Sequence, residues 1–123
     1  MYQLALTRDF VAQHYLIGGD WGAENLKHSH SYKVEVLLRG KVLNQHGYLV
    51  DIVELERALT QVIAQFRDRT LNDLAPFAGL NPSLERFARI LYEELSASLA
   101  AKDLSLTVKL WENERDWAAY GPE

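Results

Sequence analysis

The stretch His28-Ser-His30-Ser-Tyr32-Lys-Val34-Glu-Val36-Leu-Leu38 alternates with a period of two. Tyr32, Val34, Val36 and Leu38 therefore share one face of an extended strand, and His28 and His30 continue that face at its start. A second alternating stretch, Phe10-Val-Ala12-Gln-His14, ends on another histidine. If the two strands are neighbours in a sheet, three imidazoles meet. Three neutral imidazoles with the fourth position open are a standard ligand set of catalytic zinc, because zinc accepts tetrahedral nitrogen coordination and keeps a place for water or substrate. Half-exposed strand histidines also serve only to pack or to hydrogen-bond, so the spacing alone leaves both readings open.

Outward from these strands, Asn44-Gln45-His46-Gly47 reads as a turn that makes Gly40–Asp51 a hairpin return. His46 is assigned no role. Ile52, Leu55, Leu59, Val62, Ile63 and Phe66 recur at threes and fours, which predicts a helix with one apolar stripe and Asp51 as its cap. A second helix is predicted from Pro82-Ser83, with the proline near its first turn and Leu84, Phe87, Ala88, Leu91, Leu95 and Leu99 on its stripe. Leu71–Leu80 between them reads as a short loop. Leu104-Ser-Leu106-Thr-Val108-Lys-Leu110 alternates again, and Trp117–Tyr120 reads as a last edge strand. The order ββ-αα-ββ predicts an α+β domain, an antiparallel four-stranded sheet with both helices on one face. Such a sheet leaves two edges in need of partners.

A chain of 123 residues, 48% of them hydrophobic, has the length of one domain, residues 1–123, with a modest core. With no cysteine, disulfides and thiolate metal sites are excluded. No basic segment followed by an apolar run opens the sequence and no apolar stretch is long enough for a membrane span, so the expectation is a cytoplasmic protein without a membrane partner. A net charge of −4 without a basic cluster argues against nucleic acid. A small molecule is the expected partner.

Phe10-x-Ala12-x-His14, His28-x-His30-x-Tyr32, Gly47-x-x-x-Asp51, Leu71-Asn72-Asp73, Asn81-Pro82-Ser83-x-Glu85 and Trp111-Glu112-Asn113 follow one another in an order that resembles the 6-pyruvoyl-tetrahydropterin synthase and 6-carboxytetrahydropterin synthase family. The resemblance runs from about Phe10 to Glu112. It implies the tunnelling fold, in which sheets of several subunits close into a trimeric barrel and two trimers stack as a hexamer with active sites at subunit interfaces. It implies that His14, His28 and His30 bind Zn2+, and that the substrate is a pterin. The scaffold serves queuosine-type deazapurine, folate and tetrahydrobiopterin-like synthesis. Glu112 is in phase with Leu106, Val108 and Leu110. Either it lies past the strand end in water, or it accepts two N–H bonds from a planar ligand edge. The resemblance implies the second, a pterin anchor, and places Ser83 and Glu85 along the same pocket. From the residues alone, Ser83 is equally a helix cap and Glu85 a first-turn acid.

Two departures from the family pattern matter. Relatives carry a cysteine four residues before the H-x-H, where this chain has Glu24. They also carry an Asp-His relay where this chain has Arg67-Asp68, so the relay histidine is missing. Glu24 replaces the cysteine as base if burial makes its carboxylate more basic. Some relatives with glutamate there are associated with cleaving the side chain to 6-hydroxymethyl-dihydropterin. Asp68 is then the candidate for the second proton transfer and Arg67 for pairing with substrate phosphates. The plain alternative makes Glu24 a loop residue and Arg67, Asp68 and Arg69 a solvated helix end. The sequence thus predicts a zinc-dependent lyase acting on the side chain of 7,8-dihydroneopterin triphosphate or a related dihydropterin. The rival readings are a non-catalytic pterin-binding homologue that keeps the metal and, less favoured, a binder of another bicyclic ring such as guanine.

Overall fold

Strand β1 (Tyr2–His14) and strand β2 (His28–Gly40) pair antiparallel along their whole lengths, in a register that sets Phe10 opposite Tyr32, Ala12 opposite His30 and His14 opposite His28. The computed structural model describes residues 1–99 and 103–122. Strand β3 (Ser105–Trp111) pairs with the other edge of β2, and the short β4 (Trp117–Tyr120) with β3, giving the sheet order β1-β2-β3-β4. The alternation seen in the sequence is the alternation of burial. Phe10, Ala12 and His14 of β1, Tyr32, Val34, Val36 and Leu38 of β2, and Leu106, Val108 and Leu110 of β3 are all buried on one face.

Helices α1 (Ile52–Ala64) and α2 (Leu84–Ser98) belong to the layer that covers this face. Asp51 caps α1 by accepting from the Val53 N–H at 2.9 Å, as expected, and the helix buries Leu55, Ala58, Leu59, Val62 and Ile63. Ile52, at the head of the predicted stripe, stays exposed. Ser83 caps α2 by accepting from the Arg86 N–H at 3.2 Å. Pro82 therefore precedes the cap and lies outside the first turn where the sequence placed it. The predicted hairpin return over Gly40–Asp51 is absent. Both edges of β2 are already taken by β1 and β3, so the returning segment has no ladder to join. The turn itself is there: the Asn44 N–H donates to the Tyr48 carbonyl at 2.8 Å, the Asn44 side chain accepts from His46 and Tyr48, and Gly47 adopts φ +84°. The Leu71–Leu80 loop contains two single 3-10 turns that bury Leu71 and Phe77. No helix among the described residues is long and apolar enough to cross a membrane.

One aromatic cluster ties the layers together. Phe87 of α2 packs edge-on against Phe10, Tyr32, Phe66 and Phe77 at centroid distances of 5.1 to 5.9 Å. Tyr32 carries the cluster onward to the rings of His14 and His30 at the end of the sheet.

Candidate metal centre

The register of β1 and β2 brings the three histidines into one group, their ring centroids 4.6 to 4.9 Å apart. Glu24 joins them from the loop between the strands, and one ligand atom from each of the four residues lies within 4.8 Å of every other. His14 is the buried polar residue beneath the helices. Burial first, then the neighbouring His30 and His28, lower its pKa to about 4, against the opposing pull of Glu24 and of the Pro82 carbonyl. It is neutral at physiological pH. Its Nδ1 meets the Tyr32 hydroxyl at 3.2 Å. Burial and the nearby Glu112 push the Tyr32 hydroxyl upward, so that phenol stays protonated.

His28 shows most directly what the group is suited to hold. Its Nδ1 lies 2.7 Å from the Leu26 carbonyl, an oxygen that can only accept, so the proton of the neutral ring sits on Nδ1. Nε2 then presents a lone pair. It is shielded from solvent, stands 2.7 Å from Oε2 of Glu24, and makes no hydrogen bond of proper geometry. A lone pair facing a carboxylate oxygen is repulsive unless a proton or a metal cation lies between them. A ring whose other nitrogen is fixed by a carbonyl is the usual second-sphere arrangement of a metal-bound imidazole. The donor set of three imidazoles and a carboxylate, without sulfur, fits zinc.

Glu24 lies on a 3-10 turn, Gly22–Asn25, that buries no residue. Its side chain is 54% exposed, so the burial that the sequence reading required to make it a stronger base is not present. Three asparagines hold the backbone around it. Asn72 donates to the Tyr15 carbonyl and accepts from the Tyr15 N–H, at 2.9 and 3.0 Å. Asn81 accepts from the Ile17 N–H, and Asn25 donates to the carbonyls of Leu16 and Gly19 while accepting from the Trp21 N–H. Asn72 and Asn81 had drawn attention in the sequence only as parts of motifs, and Asn25 had not.

Beside the cluster is an open cavity of about 470 Å³ whose walls include His14, His30, Glu24, Ser83, Glu85 and Glu112. Glu112 follows directly on β3 and is half-buried, its backbone N–H bonded to the Asp116 carbonyl across a turn that Asn113 closes. No ion pair among the described residues uses its carboxylate. Ser83 is both cap and wall, so its two readings are compatible. Trp21, an exposed indole, also lines this cavity and was passed over in the sequence. Arg67 and Asp68 are not brought to it. Both are exposed, Asp68 with φ +60°, on a segment that runs along the outer edge of β1, where the Asp68 N–H donates to the Val11 carbonyl. A larger hollow of about 780 Å³ beneath the 41–53 loop contains His46 but no converging set of ligand atoms.

An antiparallel sheet with two helices on one face and three histidines gathered at its end defines an α+β class of fold. The chain belongs to the 6-pyruvoyl tetrahydropterin synthase family, whose sequence model matches residues 3–123. A proposed 6-carboxy-5,6,7,8-tetrahydropterin synthase of Archaeoglobus fulgidus is 34% identical over 92 residues, 74% of this chain and 72% of its own length. The 6-pyruvoyl tetrahydrobiopterin synthase of Drosophila melanogaster is 30% identical over 98 residues, 77% of this chain and 58% of its own. Among solved structures, the Caenorhabditis elegans 6-pyruvoyl tetrahydropterin synthase superposes with a TM-score of 0.89 at 22% identity, over 99% of this chain and 96% of that one. A Plasmodium vivax 6-pyruvoyltetrahydropterin synthase superposes at 0.77 with 16% identity over 99% and 98%, and was solved as a variant with a catalytic glutamate replaced by alanine.

Proposed function

We propose that this chain is a single-domain, zinc-dependent pterin lyase of the cytoplasm that acts on the side chain of 7,8-dihydroneopterin triphosphate or a related dihydropterin. The observation that carries this reading is that three members of the donor cluster, His14, Glu24 and His30, share the walls of one cavity with Glu112. Zinc held by His14, His28 and His30 would supply Lewis acidity that makes protons next to side-chain oxygens easier to remove. The other roles belong to residues of the chain.

Glu112 accepts the amino N–H and adjacent ring N–H of the pterin, a paired charge-assisted contact that fixes which edge of the ring points inward. Ser83 and Glu85 bound the ring at the start of α2. Glu24, near the histidines and still open to the cavity, takes the side-chain proton. A glutamate in the catalytic set has a precedent in the Plasmodium vivax protein. Arg67 and Asp68 stand outside the cavity of their own chain. Their proposed roles, phosphate pairing and the second proton transfer, require a neighbouring subunit, in keeping with a trimer or hexamer that has sites at its interfaces.

Incubating zinc-loaded protein with 7,8-dihydroneopterin triphosphate and identifying the products by mass spectrometry tests this reading. An eliminated side chain places the chain with the synthases. Release of 6-hydroxymethyl-dihydropterin identifies a cleaving enzyme. Unchanged substrate, with bound pterin and bound zinc, leaves the non-catalytic binder.

A further inference from the structure

We infer that Glu24 is itself a metal ligand, the fourth and removable member of a His3Glu centre, in addition to its role as base. This inference rests on the reading of His14, His28 and His30 as zinc ligands. Its own basis is the geometry of the carboxylate. Glu24 belongs to the same mutually close group of donor atoms as the imidazoles, and its Oε2 lies 2.7 Å from His28 Nε2, a contact that either a proton or a metal cation must bridge. A proton would join only Glu24 and His28, whereas a metal cation also accounts for the convergence of His14 and His30 on the same group.

The four donors are supported unequally. The histidines stand on the paired ends of two long strands, and His14 is buried among side chains of the core. Glu24 stands on a single 3-10 turn that buries nothing, with Gly18 and Gly22 close by at φ +85° and +62°. Three ligands are thus rigid, and the fourth, whose backbone carbonyl accepts from the Leu16 N–H, can swing by its side chain alone with little loss of packing. Centres with four protein ligands are generally structural, and those with three and an open position catalytic. A His3Glu centre whose carboxylate is carried on a loop combines the two: closed while the cavity is empty, open once a substrate oxygen displaces Glu24. The displaced carboxylate is then free to accept a proton within the same cavity.

The test is metal binding, independent of turnover. Zinc affinity, measured by competition with a chromophoric chelator, is expected to fall at least about tenfold in Glu24→Gln, which keeps the side chain's size and removes its charge. Because Glu24 contributes nothing to the core, the variant should keep the wild-type urea midpoint when both are measured metal-free. Glu24→Cys supplies a spectroscopic reading: a thiolate that reaches a substituted cobalt ion produces a sulfur-to-cobalt charge-transfer band in the near ultraviolet. Wild-type zinc affinity in Glu24→Gln, or no such band in Glu24→Cys, overturns the inference. If these variants are silent while His28→Gln loses zinc, this inference falls and the three-histidine reading stands. If His28→Gln also keeps its zinc, both fall.

Discussion

Asn72 commits both ends of its side-chain amide to the backbone of Tyr15, the residue that follows His14. Asn72→Ala removes two partly buried bonds and leaves the Tyr15 backbone unpaired, a loss of about 1–3 kcal/mol. Urea unfolding is expected to show it, and zinc retention in the variant should fall because His14 loses its anchor. His14 itself sets a pH dependence. Its pKa is lowered from 6.5 to about 4 by folding, so the unfolded chain binds the extra proton between those values. In metal-free protein this contribution is complete above about pH 6.5 and is lost as the pH falls toward 4, by roughly 3 kcal/mol at the limit. His14→Gln should flatten that slope in urea midpoints recorded across the range. The histidines were legible in the sequence because strand alternation fixes the side on which each imidazole falls. The asparagines that position the loop were not, because an amide's partner 57 residues away leaves no local periodicity.

At the scale of elements, Phe87 ties α2 into the aromatic cluster, where it touches four other rings. Phe87→Ala should reduce stability by about 3–5 kcal/mol in denaturant unfolding, more than truncation of an aliphatic residue at the helix end. Tyr32 is the member of that cluster that also touches His14 and His30, so the same substitution is expected to weaken zinc binding at a distance. Both helices and the strands β2 and β3 were readable from apolar spacing, and β1 only over its last part, Phe10–His14. The Gly40–Asp51 hairpin was misread because its turn chemistry is genuine while the edge it needed is occupied by β3, whose sequence lies more than 50 residues further on. Local signals fix turns. They do not reveal which edge of a strand is already taken.

Across the whole molecule, β1 is a long edge strand. Val11 and Gln13 use their outward backbone groups on Asp68 and Arg69, whereas the outward groups of Gln3, Ala5, Thr7 and Asp9 make no backbone bond among the described residues beyond those of the strand. The sheet face away from the helices carries Lys33 and Lys109 stacked on Trp111 and Trp117 at 3.9 to 4.7 Å. An assembly that pairs edges into a barrel would use that edge and enclose that face. Thr7→Pro removes one outward N–H and leaves the ladder to β2 its bonds. Light scattering should show the proposed trimer or hexamer broken down to smaller species. The donor cluster, finally, consists of nitrogen and oxygen in a chain without a single cysteine. Relatives that depend on a thiolate are open to alkylation by iodoacetamide and to conversion of that sulfur into sulfenic acid by peroxide. A carboxylate at position 24 offers no such target, so the base proposed for this chain is indifferent to the redox state of its surroundings.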